Sequence, residues 1–148
     1  MTQNIKLESL YGHWVNFNDI WTLVSFSYSN EDKLLPEDLF TLTNLNQQFF
    51  RLAVSYGLLY VVIEGYQSIK IKDEDIDLAL SNIDFVDKLR LLRNAIFHYQ
   101  NKPLPEKLMK FILTDGSSEW ISDLRKKFEL FFISHLPIEE LITLSKNK

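Results

Sequence analysis

Arg93, Asn94 and His98 stand within six residues of one another in the run LRLLRNAIFHYQ, Leu89 to Gln100, a segment otherwise built to be buried. Each side chain brings a different capability. Imidazole is the side chain that takes or gives a proton near neutral pH. A guanidinium is always charged and can fork onto two phosphate oxygens. A side-chain amide can hold a phosphate or fix an imidazole tautomer. Together they could serve a phosphoryl centre: a base, a stabiliser of developing negative charge, and an acid for a leaving oxygen. A structural role is the alternative, with Asn94 and His98 a satisfied polar pair near a helix C-terminus, where the helix dipole favours a cation.

At about 100° per residue, Phe85, Leu89, Leu92, Ile96 and Tyr99 share one arc, the expected core face of a helix. Arg90, Asn94 and His98 form an i, i+4, i+8 line on another side, with Asp87 beside it and Arg93 on the flank. Val86, Leu91 and Phe97 also fall off the core arc. A face that mixes large apolar groups with Arg90 and the polar line suits a partner surface, either another helix or a second copy of the chain.

A further carboxylate bears on this group. Glu64 lies inside YVVIEGY, an apolar run where an unpaired charge would be costly. It either reaches solvent at an edge or faces the helix of Arg93, pairing with Arg93 or hydrogen-bonding His98 and so orienting them. Gly65 beside it would let those two helices approach closely.

The elements that must position these groups are all helical, because apolar residues recur at helical spacing almost throughout. A first helix is expected from Ile5 to Phe26, with Leu7, Leu10, Tyr11, Trp14, Phe17, Trp21 and Val24 as its buried stripe and SNEDK beyond its end. Pro36 suits the start of a short helix, Glu37 to Leu42. A long helix then runs from Asn44 to Ile69, apolar nearly all round and therefore central. The acidic run DEDID opens a short helix from Asp73 to Leu80. Asp84 could cap the next helix, which reaches Tyr99 or Gln100 before NKPLP stops it. Pro105 to Leu113 reads as a short helix. Ser117 or Ser118 would cap a last long helix ending near His135, and Pro137 begins a terminal turn. No period-2 strand competes. The fold class expected is all-α, a single-domain helical bundle over residues 1–148: two long antiparallel helices, a helix bearing the polar triplet, short helices and a long C-terminal helix.

Composition narrows the chemistry. Cysteine is absent, which excludes disulfides, thiol nucleophiles and thiolate metal sites. His13 and His135 lack metal-ligand spacing, and KDEDID lacks the glycine and distal glutamate of a calcium loop, so neither a metal nor another cofactor is called for. The net charge of −4 argues against a protein that wraps long nucleic acid, so nucleic-acid chemistry would be confined to a small site. Arg125, Lys126 and Lys127 form a basic run on the last helix, read chiefly as a solvated face. Trp14, Trp21, Phe49, Phe50, Phe131 and Phe132 recur at helical intervals and are expected in the core. No secretory leader is visible, and the longest apolar run, Leu58 to Ile63, is too short to cross a bilayer. A soluble cytoplasmic protein with no membrane partner is the expectation.

Arg93 and Asn94, followed after three residues by His98 on a late helix of an all-α chain, resemble the HEPN superfamily. The order of helices is similar as well, and LLYVVIEGYQ with LRNAIFHYQ looks like an uncharacterised bacterial branch of it. The resemblance implies a metal-independent endoribonuclease, a toxin or phage-defence effector, with Arg93, Asn94 and His98 catalytic. It also implies a homodimer that pools two arginines and two histidines in one cleft, through a face including Val86, Arg90, Leu91 and Phe97. A restraining partner such as a nucleotidyltransferase-type antitoxin would fit. The alternative within the same resemblance is a non-enzymatic domain binding a nucleotide or a partner protein through that groove.

Overall fold

A computed structural model describes residues 3–26, 37–98 and 106–138, with side chains described over 5–23, 47–98 and 109–138. All regular structure among these residues is helical: α1 (Gln3–Phe26), α2 (Glu37–Ser68), α3 (Glu74–Leu80), α4 (Ile83–Phe97), α5 (Glu106–Ile112) and α6 (Ser117–His135). The fold is all-α. The segments SNEDK and NKPLP, Pro36, Pro105 and Tyr99 lie outside the described residues, as do the side chain of Val24 and the chain beyond residue 138.

The 32-residue helix α2 organises the rest, with α1 and α4 packed along it. Both neighbours run antiparallel to it. Along α1, Trp21 stacks on Tyr56 at 6.0 Å while Leu10 meets Gly65; along α4, Phe97 meets Gly57 while Arg93 reaches Glu64. Helix α6 covers the α1–α2 pair through an aromatic cluster. Phe132 sits 5.3 Å from the ring of Tyr11 and 5.7 Å from that of Trp14, and Tyr66 stands edge-on to Phe128 and Phe131, each at 5.6 Å. Phe111 of α5 fills the space between Tyr56 and Phe85. The Trp120 indole N–H donates to the Ala79 carbonyl at 3.0 Å, fastening the start of α6 to the end of α3.

Several boundaries differ from those expected. The short helix over Glu37 to Leu42 and the long helix from Asn44 form one continuous element, since LFTLTNLNQQ contains neither proline nor glycine to interrupt it. Helix α4 is capped by Asn82, whose side-chain oxygen accepts from the Phe85 N–H at 3.3 Å. Asp84 lies in the first turn instead and pairs with Lys88 at 2.7 Å. Helix α4 also ends early, at Phe97. Helix α6 begins from Gly116 in the left-handed region at φ +78°, where a side chain would be strained, and Ser117 is its first residue, buried without serving as the cap. Asp73 does cap α3, accepting from the N–H groups of Asp75 and Ile76 at 3.0 Å each. Its backbone N–H donates in turn to the Tyr66 hydroxyl at 2.7 Å, and that hydroxyl donates to Asp77 at 2.9 Å. Burial, with the Asp77 carboxylate adding to it, raises the Tyr66 phenol to about 12.

Leu7, Leu10, Trp14 and Phe17 of α1 are buried, as are Leu89, Leu92 and Ala95 of α4. Phe131 and Phe132 are core, but Phe50 is 66% exposed, which corrects its assignment to the interior. Within α2, Gln47–Ser68 is long and apolar enough by length and composition to span a bilayer, a length that the short run Leu58 to Ile63 had hidden. Half of that stretch is buried against the other helices, as in a core helix.

Two glycines set the helix separations, and their tolerance differs. A Cβ on Gly65 would stand 2.6 Å from Leu10 Cδ1, so Gly65 serves the α1–α2 approach rather than the approach to α4 expected for it. Gly57 makes the approach to α4, its Cβ position lying 2.9 Å from Phe97 Cε2. Leu10 is 3% exposed, whereas Phe97 is 53% exposed and freer to yield. Gly65→Ala should therefore cost about 1–3 kcal/mol by overpacking. Gly57→Ala should fall within about 1 kcal/mol of the parent, because a yielding ring is offset by better helix propensity. Urea unfolding of the two variants checks the difference; equal losses would refute the assignment of Leu10 as the rigid neighbour.

Candidate functional site

The most organised polar group in the described structure lies where α2 and α4 face each other. Arg93 is half-buried and projects from α4 onto α2. Its Nη2 donates to Glu64 Oε2 in a very short charged contact, and its Nη1 donates to Asn94 Oδ1 at 3.0 Å. The guanidinium also lies over the Tyr60 ring, 5.5 Å from its centroid. Burial, reinforced by the Glu64 carboxylate, raises the Tyr60 phenol above its usual range. A long flexible side chain is thereby held in one place by a carboxylate, an amide and a ring.

This arrangement follows from local sequence. The apolar run around Glu64 buries Val62 and Ile63 and leaves Glu64 at the α4 edge, 43% exposed at its side chain. Leu89, Leu92 and Ala95 bury one face of α4, and Arg93, on the flank of that face, reaches the seam with α2. The pair is partly solvated, and pairs of this kind contribute about 0–1 kcal/mol to stability. Its consequence is geometric: the guanidinium is fixed.

His98 takes a different place from the one expected. Helix α4 stops at Phe97, and His98 is the C-cap residue with extended backbone, φ −119° and ψ 147°. The i, i+4, i+8 line through Arg90, Asn94 and His98 therefore does not exist as a helical stripe. His98 is exposed at the mouth of the α2–α4 seam, one residue beyond the ring that packs on Gly57. Arg93 is brought into direct contact with both Asn94 and Glu64; His98 follows beyond the end of the helix.

The expected partner face is also modified. Val86 is half-buried and packs against the core, so it is not part of an outward surface. Arg90 is exposed and pairs with Asp87 at 3.5 Å on its own helix. Leu91 and Phe97 are exposed at 40% and 53%, and Ile83, 63% exposed, joins them on the outward side of α4. Ile83 was missed because the cap was expected at Asp84, two residues beyond the observed cap, Asn82.

The basic run on α6 is largely used internally. Arg125 donates to the Asn18 side chain at 2.7 Å, and Lys127 pairs with Asp123. His135 Nδ1 donates within its own last turn to the Phe131 carbonyl at 2.8 Å, and its ring packs on that of Phe131. Sequence reasoning passed over a second concavity, a groove of about 400 Å³ between α1 and α2 that includes Glu64 on its lining. Its only sequence signal was the polar residues Lys6, Ser9 and His13 on one side of α1.

No family model, curated protein or solved structure matches this chain.

Proposed function

We propose that this protein is a metal-independent endoribonuclease of the HEPN kind, acting in the cytoplasm as a homodimer in which two α4 helices pool Arg93 and His98. One observation carries the reading: Arg93 is clamped by Glu64 and Asn94 against Tyr60, five residues before the exposed His98. A guanidinium fixed before substrate arrives stabilises charge on a phosphate without reorganising during reaction. RNA supplies its own nucleophile. The 2′-oxygen attacks phosphorus while one imidazole accepts its proton; the P–O5′ bond breaks while a second imidazole donates a proton to the leaving oxygen. The products are a 2′,3′-cyclic phosphate and a 5′-hydroxyl. One histidine does not comfortably fill both roles, and the exposed Leu91 and Phe97 supply apolar surface for a second copy. A toxin or phage-defence effector of this type would be restrained by a partner protein, such as a nucleotidyltransferase-type antitoxin.

The second reading is a non-enzymatic domain that binds a nucleotide or a protein at the same seam. It is favoured by the engagement of both terminal nitrogens of Arg93 within the fold. Incubating purified protein with total RNA under chelator separates the two. The ribonuclease reading expects fragments ending in 2′,3′-cyclic phosphate, and a loss of about 10²- to 10⁴-fold in rate for His98→Ala. Intact RNA with wild-type protein, or equal cleavage by His98→Ala, would overturn it.

A further inference from the structure

Negative charge is concentrated at one corner of the fold. Residues 73–87 carry six carboxylates and no cation, although the whole chain has a net charge of only −4. They occupy α3 and the first turns of α4, and the α5–α6 turn brings Asp115 and Glu119 to the same corner. Two aromatic side chains make that junction. Phe85 of α4 stands 6.4 Å from Phe111 of α5 and 5.4 Å from Trp120 of α6. The Trp120 indole N–H, in turn, donates to the Ala79 carbonyl of α3.

Part of this charge is used within the fold. Asp73 caps α3, Asp77 accepts from Tyr66, Asp84 pairs with Lys88, and Asp87 pairs with Arg90. Lys72 is spent on the carbonyls of Tyr66 and Gln67, and Lys110, one turn before Leu113, is likewise engaged. Glu74, Asp75, Asp115 and Glu119 are exposed and have no ion-pair partner among the described residues. Helix starts offset only about half a charge each, so most of the negative charge stays uncompensated.

The same corner exposes large apolar side chains. Leu78, at 71%, and Leu113, at 72%, are the most exposed large apolar residues among those described, and Ile83 is exposed as well. Each stands one or two positions from a residue of the junction: Leu78 from Ala79, Ile83 from Phe85, Leu113 from Phe111. Glu74 and Asp75 lie four and three residues before Leu78, so the three share a face of α3. Leu113 and Asp115 occupy the α5–α6 turn together. Single exposed apolar residues are ordinary, but three from separate elements, interleaved with unpaired carboxylates, make a surface.

Charge decides what that surface takes. It repels RNA and anionic lipid, whereas a Lys/Arg-rich segment with large apolar side chains satisfies both features at once. We infer that the corner formed by α3, the start of α4 and the α5–α6 turn docks a basic amphipathic helix of another protein. This is independent of RNA cleavage, and Leu78 and Leu113 lie off the helix that carries Arg93.

A synthetic amphipathic leucine–lysine helix, fluorescently labelled and titrated with the full chain, tests this by anisotropy. Saturable one-to-one binding is expected, weakening as salt rises. Leu78→Asp and Leu113→Asp should each weaken binding by about tenfold, because the burial of one leucine is lost. The direction is diagnostic: each variant gains a negative charge, so attraction by charge alone would tighten binding. Asp115→Lys should weaken binding by about three- to tenfold. Glu8→Lys, the same change of charge on α1, should leave it unchanged. Leu130→Asp should do so too, since Leu130 lies ten residues along α6 from Trp120, about 15 Å away. A lysine–serine peptide of equal charge should bind about tenfold more weakly or worse. Every substituted side chain is exposed, and circular dichroism checks that each variant keeps its helices. Absence of saturable binding, equal binding of the lysine–serine peptide, unchanged or tighter binding by Leu78→Asp and Leu113→Asp, or a loss in Glu8→Lys matching that in Asp115→Lys would each overturn the assignment. Self-association of the chain that Leu113→Asp abolishes would also overturn it, since the occupant would then be a second copy.

Discussion

Phe132→Ala should lower the stability of this protein by about 3–5 kcal/mol, the range for deleting a fully enclosed aromatic ring. The ring is completely buried and contacts the rings of Tyr11, Trp14, Phe128 and Phe131, so two helices lose packing when it is removed. The surrounding side chains are themselves large and held by α1 and α6, which limits collapse into the void. For a chain of this length the loss corresponds to a fall in Tm of about 10–16 °C. Phe50→Ala is the natural comparison. That ring is 66% exposed, and its removal should change stability by no more than about 0.5 kcal/mol. Thermal unfolding of both variants checks the pair; a Phe50 loss as large as that of Phe132 would contradict the packing described above.

The second large effect concerns cleavage and rests on the proposed function. Arg93→Ala should reduce the rate of RNA cleavage by about 10²- to 10³-fold, the cost of removing one preorganised donor from a charge-developing centre. Glu64→Gln should reduce it by roughly ten- to a hundredfold, because a misplaced guanidinium loses much of its value. Stability should move little in Glu64→Gln, by about 1 kcal/mol at most, since the pair is partly exposed. The double variant separates positioning from direct participation. If Glu64 acts through Arg93, then Glu64→Gln has no further effect once Arg93 is alanine. Additive losses would show that the carboxylate acts on RNA or on His98 by another route.

The contrast between Phe132 and Phe50 also shows what a helical pattern conveys. Periodicity placed all six aromatics at helical intervals and thereby identified the class of fold, but it does not say which side of α2 a neighbour covers: Ala53 is buried and Phe49 half-buried, while Phe50 between them faces out. Phe50 belongs to the right helix and still meets solvent. Glycine shows the same limit. Gly57 and Gly65 sit in similar apolar surroundings, and only the register of α2 against α1 and α4 decides which neighbour each one admits. The Glu64–Arg93 contact was foreseeable because a carboxylate in an apolar run needs a partner, and a long cation on the neighbouring motif helix was at hand. The position of His98 was not. Two or three residues of helix separate the expected and observed ends of α4, and an i+8 relation drawn on a wheel fails as soon as the helix stops. Capping was similarly underdetermined: Asn82, Asp84, Gly116, Ser117 and Ser118 are all acceptable at helix starts, and the choice among them depends on where the preceding turn delivers the chain.

Glu64 belongs at once to the lining of the α1–α2 groove and to the clamp on Arg93. Anything that binds on one side of that carboxylate therefore alters the free energy of events on the other, and the effect is obligatorily mutual.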